Sequence, residues 1–507
     1  MDEKNLSTHP SIPNQIIIFG HPQRIEEMLS EKRLRGEHRF LPAGEADLLS
    51  RALRLLTSAR VVVRETSDRE QGLISSLPQA ERRELRLYQL DGDEMQLLDI
   101  LQRRRRGFED VIIERNYLLR AAPWTGAGSP WTGAGSPWTG AGSPWTGAGS
   151  PWTAAGSPWT AAGSPWTVGS APWLEMPGQG GDYIRQRAER VFQEQWAFGP
   201  NGVNARSILD ARALEKADGQ NVTVGVFDTS PFPAPFDSVT LNMPPAPLTL
   251  QLRHPIPGGA PGGCGGGAAN HGLFVAGLIH AIAPAAPIQL IRVLDDAAQG
   301  SLFTLVAALY EFLGDLPEEA RAVINLSLGF YGADVTGEVD WDGPDLLRDA
   351  LQRAHAQNVV IVAAAGNDNA TAEADLPAAF PARWDFVVGV AASDSKKRRA
   401  CFSNQGDVMA PGGSGLKHCA PPAGRCHDED CPYAVISLDV GSYTGYSYGV
   451  GTSFAAPLVA GLAARYCARL EDIATGDLSG PGAASNAVRE LIAASAAGDG
   501  VIKVISD

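Results

Sequence analysis

Between residues 221 and 470 the chain alternates short, wholly apolar runs with longer runs whose apolar positions recur at helical spacing. Short runs of Val, Ile, Leu and Ala are typical of strands buried on both faces of a parallel sheet, and the longer runs are typical of helices that cover it. We therefore predict an α/β domain with a parallel sheet flanked by helices. The predicted strands lie at residues 221–227, 288–294, 322–328, 359–365 and 386–392, and the predicted helices begin at 271 or span 302–313, 344–356 and 455–470.

The first 120 residues show a different pattern, in which shorter apolar runs are separated by polar stretches. The predicted order is strand, helix, strand, strand, helix, strand, which is typical of a small ferredoxin-like α+β domain. Four arginines, Arg103 to Arg106, close the second helix, where the helix dipole favours positive charge, and we prefer this interpretation to a processing site. The elements lie at residues 15–19, 23–35, 60–65, 84–90, 94–105 and 111–119.

Residues 121–179 consist largely of a heptapeptide repeat, Ser-Pro-Trp-Thr-Gly-Ala-Gly with small variations. Tryptophan recurs at every seventh position from Trp124 to Trp173. Pro and Gly in every unit exclude a helix or coiled coil, so we predict that residues 121–179, whose repeat at 121–173 is uncharged, form a linker between a domain at residues 1–120 and a domain at residues 180–507. A second hypothesis is that exposed tryptophans bind a partner or a cleft of the same chain.

Ser453 lies between a glycine-rich loop, residues 445–451, and the predicted helix at 455–470. A helix N-terminus offers unpaired backbone N–H groups and the positive end of the helix dipole, so a nucleophile there is close to donors that stabilise an oxyanion. The alternative is that Ser453 merely caps the helix, as serines in this position commonly do.

Three further residues could complete a nucleophilic site with Ser453. Asp228 follows a buried strand, where open α/β sheets place their functional groups, and His271 begins a helix. Asn367 follows the strand at 359–365 and could donate an N–H to a tetrahedral intermediate. Taken singly, they are equally explained as a turn aspartate, a helix-capping histidine and a turn Gly-Asn pair. Together they supply a base, an orienting carboxylate and an oxyanion donor for the serine.

The segments around these residues carry longer motifs. Residues 451–457 are Gly-Thr-Ser-Phe-Ala-Ala-Pro, residues 270–277 are Asn-His-Gly-Leu-Phe-Val-Ala-Gly, and Asp-Thr-Ser at 228–230 ends a strand. These motifs, and the order Asp, His, Ser along the chain, resemble those of the subtilisin-like serine peptidases (subtilases) over about residues 196–470. Further matches to the family pattern lie at residues 323–329, 364–367, 380–383, 387–392 and 402–404.

The resemblance implies hydrolysis of peptide bonds in protein or peptide substrates through an acyl-enzyme. His271 would take the proton of Ser453, and Asp228 would orient the His271 ring. The oxyanion would be bound by Asn367 and by the backbone N–H of Ser453. The family strand that pairs with the substrate backbone is matched by Ser327, Leu328 and Gly329.

Many subtilases carry an N-terminal propeptide with the same order of elements, which assists folding and blocks the active site. Residues 108–116 resemble the end of such a propeptide, so the resemblance implies that the domain at residues 1–120 is an intramolecular inhibitor. An unrelated regulatory domain is the alternative. The chemistry implies no cofactor. Family members often bind structural calcium in surface loops, and the sequence assigns no residue of this chain to such a site.

Three residues depart from the family motifs. Ser230 stands where the family usually has Gly, and Leu273 and Phe274 replace the Thr and the second His of the histidine motif. None of these changes removes a group of the triad. We expect Ser230 to alter the turn after the strand and Phe274 to alter the packing around His271.

The charge and the distribution of apolar residues restrict the classes of binding partner and the cellular location that we expect. The 507 residues carry a net charge of −15, which argues against a nucleic-acid or an anionic-membrane partner. Residues 1–14 are polar, and the apolar run at 15–19 is too short for the core of a signal peptide. Because no stretch of about 20 apolar residues is present either, we expect no membrane span and a cytoplasmic protein.

Six cysteines are present, and Cys419, Cys426 and Cys431 cluster close to His418 and His427. These residue types bind zinc, but their spacing is not that of a known zinc motif, and a disulfide or unpaired loop cysteines are the alternatives. In a cytoplasmic protein we expect the thiols to be reduced.

Other functions compete with a peptidase. A serine esterase or lipase is excluded because Thr precedes Ser453 and Ala stands two positions after it, so no Gly-x-Ser-x-Gly elbow exists. A catalytically silent binding module on the same fold has no need of a full triad and an oxyanion asparagine. A peptidase dedicated to one partner fits the long N-terminal region, and the sequence names no such partner.

Overall fold

The structure, a computed structural model, describes residues 11–29, 59–63, 83–90, 98, 101–102, 108–121, 181–198, 218–234, 236–255, 267–317, 320–330, 342–369, 375–413, 434–440, 445–474 and 476–496. The chain divides into two compact units. The first comprises Met1–Leu118, Ser301–Glu318 and Asp340–Leu351, and the second comprises Leu119–Gly300, Glu319–Val339 and Gln352–Asp507. Except for Ala121, the predicted linker at 121–179 lies outside the described residues, as do most of the predicted helix at 94–105 and the cysteine cluster at 419–431.

Sixteen strands are present in the described residues: β1 (Ser11–Gly20), β2 (Arg60–Val63), β3 (Glu84–Gln89), β4 (Ile112–Ala121), β5 (Val222–Asp228), β6 (Ser238–Leu241), β7 (Leu248–Arg253), β8 (Ile288–Arg292), β9 (Gln299–Ser301), β10 (Arg321–Leu326), β11 (Leu328–Gly329), β12 (Val360–Ala364), β13 (Val388–Ser393), β14 (Val408–Pro411), β15 (Val435–Leu438) and β16 (Tyr446–Gly449). The described α-helices are α1 (Pro22–Leu29), α2 (Gly181–Glu194), α3 (His271–Ile282), α4 (Leu302–Asp315), α5 (Asp345–Ala356), α6 (Thr452–Ala468), α7 (Leu470–Ile473) and α8 (Ala483–Ser495).

In the first unit, β4, β1, β3 and β2 lie side by side in that order, and each neighbouring pair is antiparallel. Alternate side chains of β1 point to one face, as the two-residue period of a strand requires, and pack with α1. The ring of Phe19 stacks on Tyr310 of α4, with 5.5 Å between the ring centroids. The core of this unit contains Ile16, Ile18, Ile25, Met28, Tyr88, Leu90, Leu98, Leu101, Phe108, Val111 and Ile113.

The second unit is built on an eight-stranded sheet in the order β14-β13-β12-β10-β5-β8-β7-β6. All neighbouring pairs are parallel except β6 and β7, which are antiparallel. The wholly apolar strands predicted from the sequence are therefore buried in a parallel sheet, as expected. The sequence did not predict β6 and β7, which lie in a Pro-rich stretch.

Helix α6 lies at the centre of this unit. Every residue from Thr452 to Cys467 is buried, because the helix is apolar on all sides and packs against α3 and against β10, β12 and β13. It begins at Thr452, three residues before the predicted start at 455. Within the described ranges, no helix combines the length and the hydropathy that a bilayer crossing needs.

The sheet brings the predicted site residues to one edge. Asp228 is the last residue of β5, and Asn367 follows β12. The predicted strand at 322–328 is interrupted at Ser327, which separates β10 from β11. Because parallel strands end on the same edge of a sheet, these residues lie at the carboxyl edge, where α/β folds place their sites.

Candidate active site

Asp228 and His271 form a buried hydrogen-bonded pair. The Nδ1 nitrogen of His271 lies 2.7 Å from Oδ1 of Asp228, and neither side chain is exposed. The backbone N–H of Thr229 donates to the same carboxylate oxygen at 2.6 Å. Because an ionised carboxylate only accepts hydrogen bonds, Nδ1 carries the ring proton, and Nε2 is the basic nitrogen of the neutral imidazole.

Thr229 ties the turn after β5 to the start of α3. Its hydroxyl accepts from the backbone N–H of Gly272 at 3.0 Å and lies within hydrogen-bond distance of the Ala268 and Ala269 carbonyl oxygens. A Cβ atom at Gly272 would lie 2.1 Å from the Thr229 carbonyl oxygen, so only glycine permits this approach. Thr229 was not predicted to have a role, although its place in the Asp-Thr-Ser motif at 228–230 was a signal.

Ser453 does not cap its helix. The N-cap of α6 is Gly451, with φ 147, and that cap makes no side-chain hydrogen bond, so the alternative of a simple capping serine is wrong. The Ser453 hydroxyl instead donates to the Ser327 carbonyl oxygen at 3.2 Å. In return, the Ser327 hydroxyl donates to the Ser453 carbonyl oxygen at 2.8 Å, and Asn325 Nδ2 donates to that hydroxyl at 3.0 Å.

Asn367 is oriented by the residue before Ser453. Its Oδ1 accepts from the backbone N–H of Thr452 at 2.9 Å, and the Thr452 hydroxyl accepts from the backbone N–H of Gly366 at 3.2 Å. Since Oδ1 faces Thr452, the donor end of the amide is Nδ2, the group that an oxyanion requires. Asn367 was predicted to be an oxyanion donor, whereas the role of Thr452 in holding it was not predicted.

An aromatic pair occupies the position of the histidine-motif departures. Phe274 is buried, and its ring centroid lies 4.4 Å from that of Phe454. The Phe454 ring lies 5.4 Å from the His271 ring. Because Phe454 directly follows Ser453, this packing brings the start of α6 beside the histidine. Leu273 is buried in the core, so neither departure exposes the site.

The strand predicted to bind substrate pairs with another part of this chain. Leu328 pairs with Ala121 and Gly329 pairs with Arg120, in an antiparallel register. The backbone N–H of Ala121 donates to the Ala298 carbonyl oxygen at 3.0 Å on its other side. The edge beside Ser327 therefore accepts an extended peptide segment through main-chain hydrogen bonds.

Asp368, next to Asn367, has a raised pKa. Burial raises the pKa of its carboxyl group to about 6, against the opposing effect of a hydrogen bond from Asn404. The backbone N–H of Asp368 also donates to Asn404 Oδ1 at 3.0 Å. A carboxyl group that changes charge near pH 6 therefore lies within one residue of the predicted oxyanion donor.

Of the two cysteines that the structure describes, one differs from the expectation of reduced thiols. Cys401 is disulfide-bonded. Cys467 is free, and burial raises the pKa of its thiol to about 12. Within the described part of the chain, no group of three His, Cys, Asp or Glu side chains is placed to hold a metal ion.

Comparison with known proteins shows which proteins part of this chain resembles. Residues 258–503 match the model of the subtilase family. Subtilisin DY of Bacillus licheniformis is 31% identical over 207 residues, which are 38% of this chain and 62% of that protein. Subtilisin E of Bacillus subtilis (strain 168) is 30% identical over 207 residues, which are 38% of this chain and 45% of that protein.

The chain thus spans less than two thirds of the length of either relative. The crystal structure of a cold adapted subtilisin-like serine proteinase shows 24% sequence identity and a TM-score of 0.39, covering 57% of this chain and 91% of that one. Residues 258–503, which include His271, Asn367 and Ser453, are thus similar to the subtilase family.

Proposed function

We propose that the chain is a serine endopeptidase that hydrolyses peptide bonds through an acyl-enzyme, with Asp228, His271 and Ser453 as its triad. The observation that carries the proposal is the buried hydrogen bond of 2.7 Å between His271 Nδ1 and Asp228 Oδ1. It fixes the tautomer in which Nε2 can accept a proton, and the Phe454 ring packs the start of α6 against the same imidazole.

In this mechanism Ser453 Oγ attacks the carbonyl carbon of the substrate while His271 Nε2 takes its proton. The resulting oxyanion accepts hydrogen bonds from Asn367 Nδ2 and from the Ser453 backbone N–H. His271 then passes the proton to the leaving amine as the C–N bond breaks. Water, activated by His271, releases the acyl group and restores the serine. Asp228 stabilises the imidazolium that forms between the two transfers.

The substrate would bind as an extended strand along Ser327, Leu328 and Gly329. Support comes from the backbone pairing of Leu328 and Gly329 with the end of β4, which is the kind of pairing that an added substrate strand makes. Ser327 also contacts Ser453 directly, so a strand held along β11 approaches the nucleophile.

The domain at residues 1–120 would act as an intramolecular inhibitor, followed by the linker at 121–179 and the catalytic domain at 180–507. A ferredoxin-like fold for it is supported by the strand order β4-β1-β3-β2. Inhibition is supported by Arg120 and Ala121, which occupy the pairing positions of β11 that a substrate would use.

The decisive test is to follow the intact mass and peptidase activity of the wild-type chain and of Ser453→Ala. We expect only the wild type to hydrolyse peptides, to be labelled by an active-site serine phosphonate, and to shorten within residues 106–180. Labelling without shortening would indicate an active peptidase held by an uncleaved domain. A wild type that stays unlabelled and inactive after removal of residues 1–120 would favour the silent binding module instead.

A further inference from the structure

The turn at residues 295–299 lies beside the end of β4. The backbone N–H of Ala121 donates to the Ala298 carbonyl oxygen at 3.0 Å, and the pairing of Ala121 with Leu328 lies on the other side of β4. Strand β4 also pairs with β9, which begins at Gln299. An extended segment in this position is therefore held between β11 and the turn that leads into β9. The proposed mechanism gives a role only to β11.

One carboxylate ties this turn together. Asp295 Oδ1 accepts from the backbone N–H groups of Ala297 and Gln299, each at 2.9 Å. Two backbone bonds close the same turn: the Asp295 N–H donates to the Gln299 carbonyl oxygen at 2.7 Å, and the Ala298 N–H donates to the Asp295 carbonyl oxygen at 2.9 Å. An aspartate that accepts from the N–H two residues ahead forms an Asx turn, which fixes the local backbone.

Ala298 has a backbone conformation that costs free energy. Its φ is 58°, in the left-handed region, where the Cβ atom of an alanine is crowded by its own backbone. Alanine has no polar side chain to offset this cost, so the bonds of the turn must hold it there. The direction of a carbonyl group follows from the backbone angles of its residue. A change of conformation at Ala298 would thus turn its carbonyl oxygen away from Ala121.

The end of β4 also packs against the strand that follows the turn. Leu119 is buried, and a Cβ atom added at Gly300 would lie 3.1 Å from Leu119 Cδ1 and 2.9 Å from Leu294 Cδ2. Leu294 and Gly300 face each other in an antiparallel bridge across the turn. Displacement of the turn would therefore disturb two contacts of β4, which are the packing of Leu119 and the hydrogen bond of Ala121.

A second turn of the same construction lies at residues 394–398. Asp394 Oδ1 accepts from the backbone N–H groups of Lys396 and Arg398 at 2.9 and 3.0 Å, and Lys397 has a φ of 63°. In both turns the left-handed residue follows the aspartate by three positions. Such a turn therefore serves the fold by itself. The first turn differs because its left-handed residue accepts a hydrogen bond from the end of β4.

We propose that Asp295 is a positioning residue that holds Ala298 in the left-handed conformation, so that the Ala298 carbonyl oxygen accepts a backbone N–H of an extended segment bound along β11. In the uncleaved chain this segment is the end of β4, and during hydrolysis it is the substrate. This role rests on the proposed peptidase function. A main-chain hydrogen bond away from the reacting atoms is made equally before and during the reaction, so Asp295 contributes to binding rather than to turnover.

The first test measures hydrogen exchange of the Ala121 amide in the full chain carrying Ser453→Ala, which cannot cleave itself. Asp295→Ala should speed this exchange about three- to tenfold, the factor expected for loss of one hydrogen bond. Asp295→Asn keeps an oxygen that accepts from both N–H groups and should leave the rate unchanged. If Asp295→Ala speeds exchange only within residues 296–299, Asp295 serves its own turn alone and the inference is wrong.

The second test measures peptide hydrolysis by the chain that has shortened within residues 106–180, with Ser453 intact. Asp295→Ala should raise KM about three- to tenfold with kcat little changed, because it weakens an acceptor for the substrate backbone. Asp295→Asn should restore the wild-type KM. A fall in kcat at constant KM would contradict a role in binding the peptide backbone.

Asp394→Ala is the matched control, because it removes one negative charge and the same two bonds to N–H groups from the second turn. It should change neither the exchange of Ala121 nor KM. Asp295→Ser retains a hydroxyl, which forms a weaker turn of the same kind, and should give intermediate values. Should Asp295→Ala fail to fold, Asp295→Ser carries the comparison with Asp295→Asn.

The outcomes separate this inference from the proposed function. If the wild type hydrolyses peptides and Asp295→Ala leaves both KM and the exchange of Ala121 unchanged, the peptidase proposal stands and the role of Asp295 is wrong. If the wild type is inactive and unlabelled, the peptidase proposal fails, and the exchange of Ala121 still decides whether Asp295 holds the bound strand.

Discussion

Ser327 and Ser453 hydrogen-bond to each other twice. The Ser327 hydroxyl donates to the Ser453 carbonyl oxygen at 2.8 Å, and the Ser453 hydroxyl donates to the Ser327 carbonyl oxygen at 3.2 Å. Both residues are fully buried. The first bond anchors the start of α6 to the end of β10, and the second directs the proposed nucleophile to the strand proposed to hold the substrate.

Ser327→Ala should therefore affect stability and turnover together. It leaves the Ser453 carbonyl and Asn325 Nδ2 without this hydroxyl, so we expect the free energy of unfolding to fall by about 1–3 kcal/mol. We expect kcat to fall about tenfold, because the nucleophile is held less firmly. Denaturant unfolding and peptidase kinetics measure the two effects. Ser485→Ala is the control: Ser485 is equally buried and bonds to His355, and its loss should reduce stability without changing kcat.

Asn367→Asp separates the two ends of the Asn367 amide. Aspartate can still accept from the Thr452 N–H but has lost Nδ2, so the oxyanion loses a donor while the loop keeps its hydrogen bond. We expect kcat to fall at least a hundredfold with KM little changed, since loss of such a donor costs about 2.7–4 kcal/mol, a range measured in subtilisin, a relative of this chain. Asn369→Ala, two residues away, should leave kcat near the wild-type value. An unchanged kcat in Asn367→Asp would remove Asn367 from the mechanism.

Asp368→Asn should change how stability depends on pH. The pKa of Asp368 is raised from 3.8 to about 6 by burial, so the folded protein retains this proton over a range in which the unfolded chain has lost it. Wild-type stability should therefore fall as the pH rises from about 4 to 6. Asp368→Asn has no carboxyl group to lose a proton at this position. Its free energy of unfolding should therefore rise by about 1–2 kcal/mol relative to that of the wild type across that window, a figure reduced for the partial exposure of the residue.

The measurement is urea unfolding of both proteins at a series of pH values. Asp375→Asn provides a contrast of opposite sign. A hydrogen bond from Arg399 lowers the pKa of Asp375, so its contribution is lost as the pH falls. Parallel stability curves for wild type and Asp368→Asn between pH 4 and 7 would contradict the raised pKa.

Glu114→Ala should weaken the first unit at the start of α5. The Glu114 carboxylate accepts from the backbone N–H of Asp345 at 2.5 Å and of Leu346 at 3.1 Å, and so caps that helix. Loss of such a cap costs about 1–2 kcal/mol, which hydrogen exchange of the first-turn amides of α5 would detect. If residues 1–120 inhibit the peptidase, activity of the full chain should also rise. As a control, Glu109→Ala, at an exposed position, should change neither the hydrogen exchange of these amides nor the peptidase activity.

Local sequence patterns were sufficient for much of the fold. The apolar runs that form β5, β12 and α3 were recognisable from the sequence, because a buried strand or helix places apolar residues at regular positions along the chain. The motif around Ser453 was also recognisable, because its residues are consecutive in the sequence. The start of α6 was misplaced by three residues because Gly451, with its positive φ, rather than the first long apolar run, sets the helix terminus.

Contacts between distant residues required the tertiary structure. Thr452 and Asn367 are 85 residues apart, Ser327 and Ser453 are 126 apart, and Ser230 and Arg292 are 62 apart. Each pair meets because parallel strands lie side by side and end on one edge, an arrangement that no local period encodes. The sequence by itself thus determined which residues could form a site and on which elements they lie. The packing of β5, β8, β10 and β12 beneath α3 and α6 decided which residues hold them in place, because those bonds exist only when the strands are neighbours.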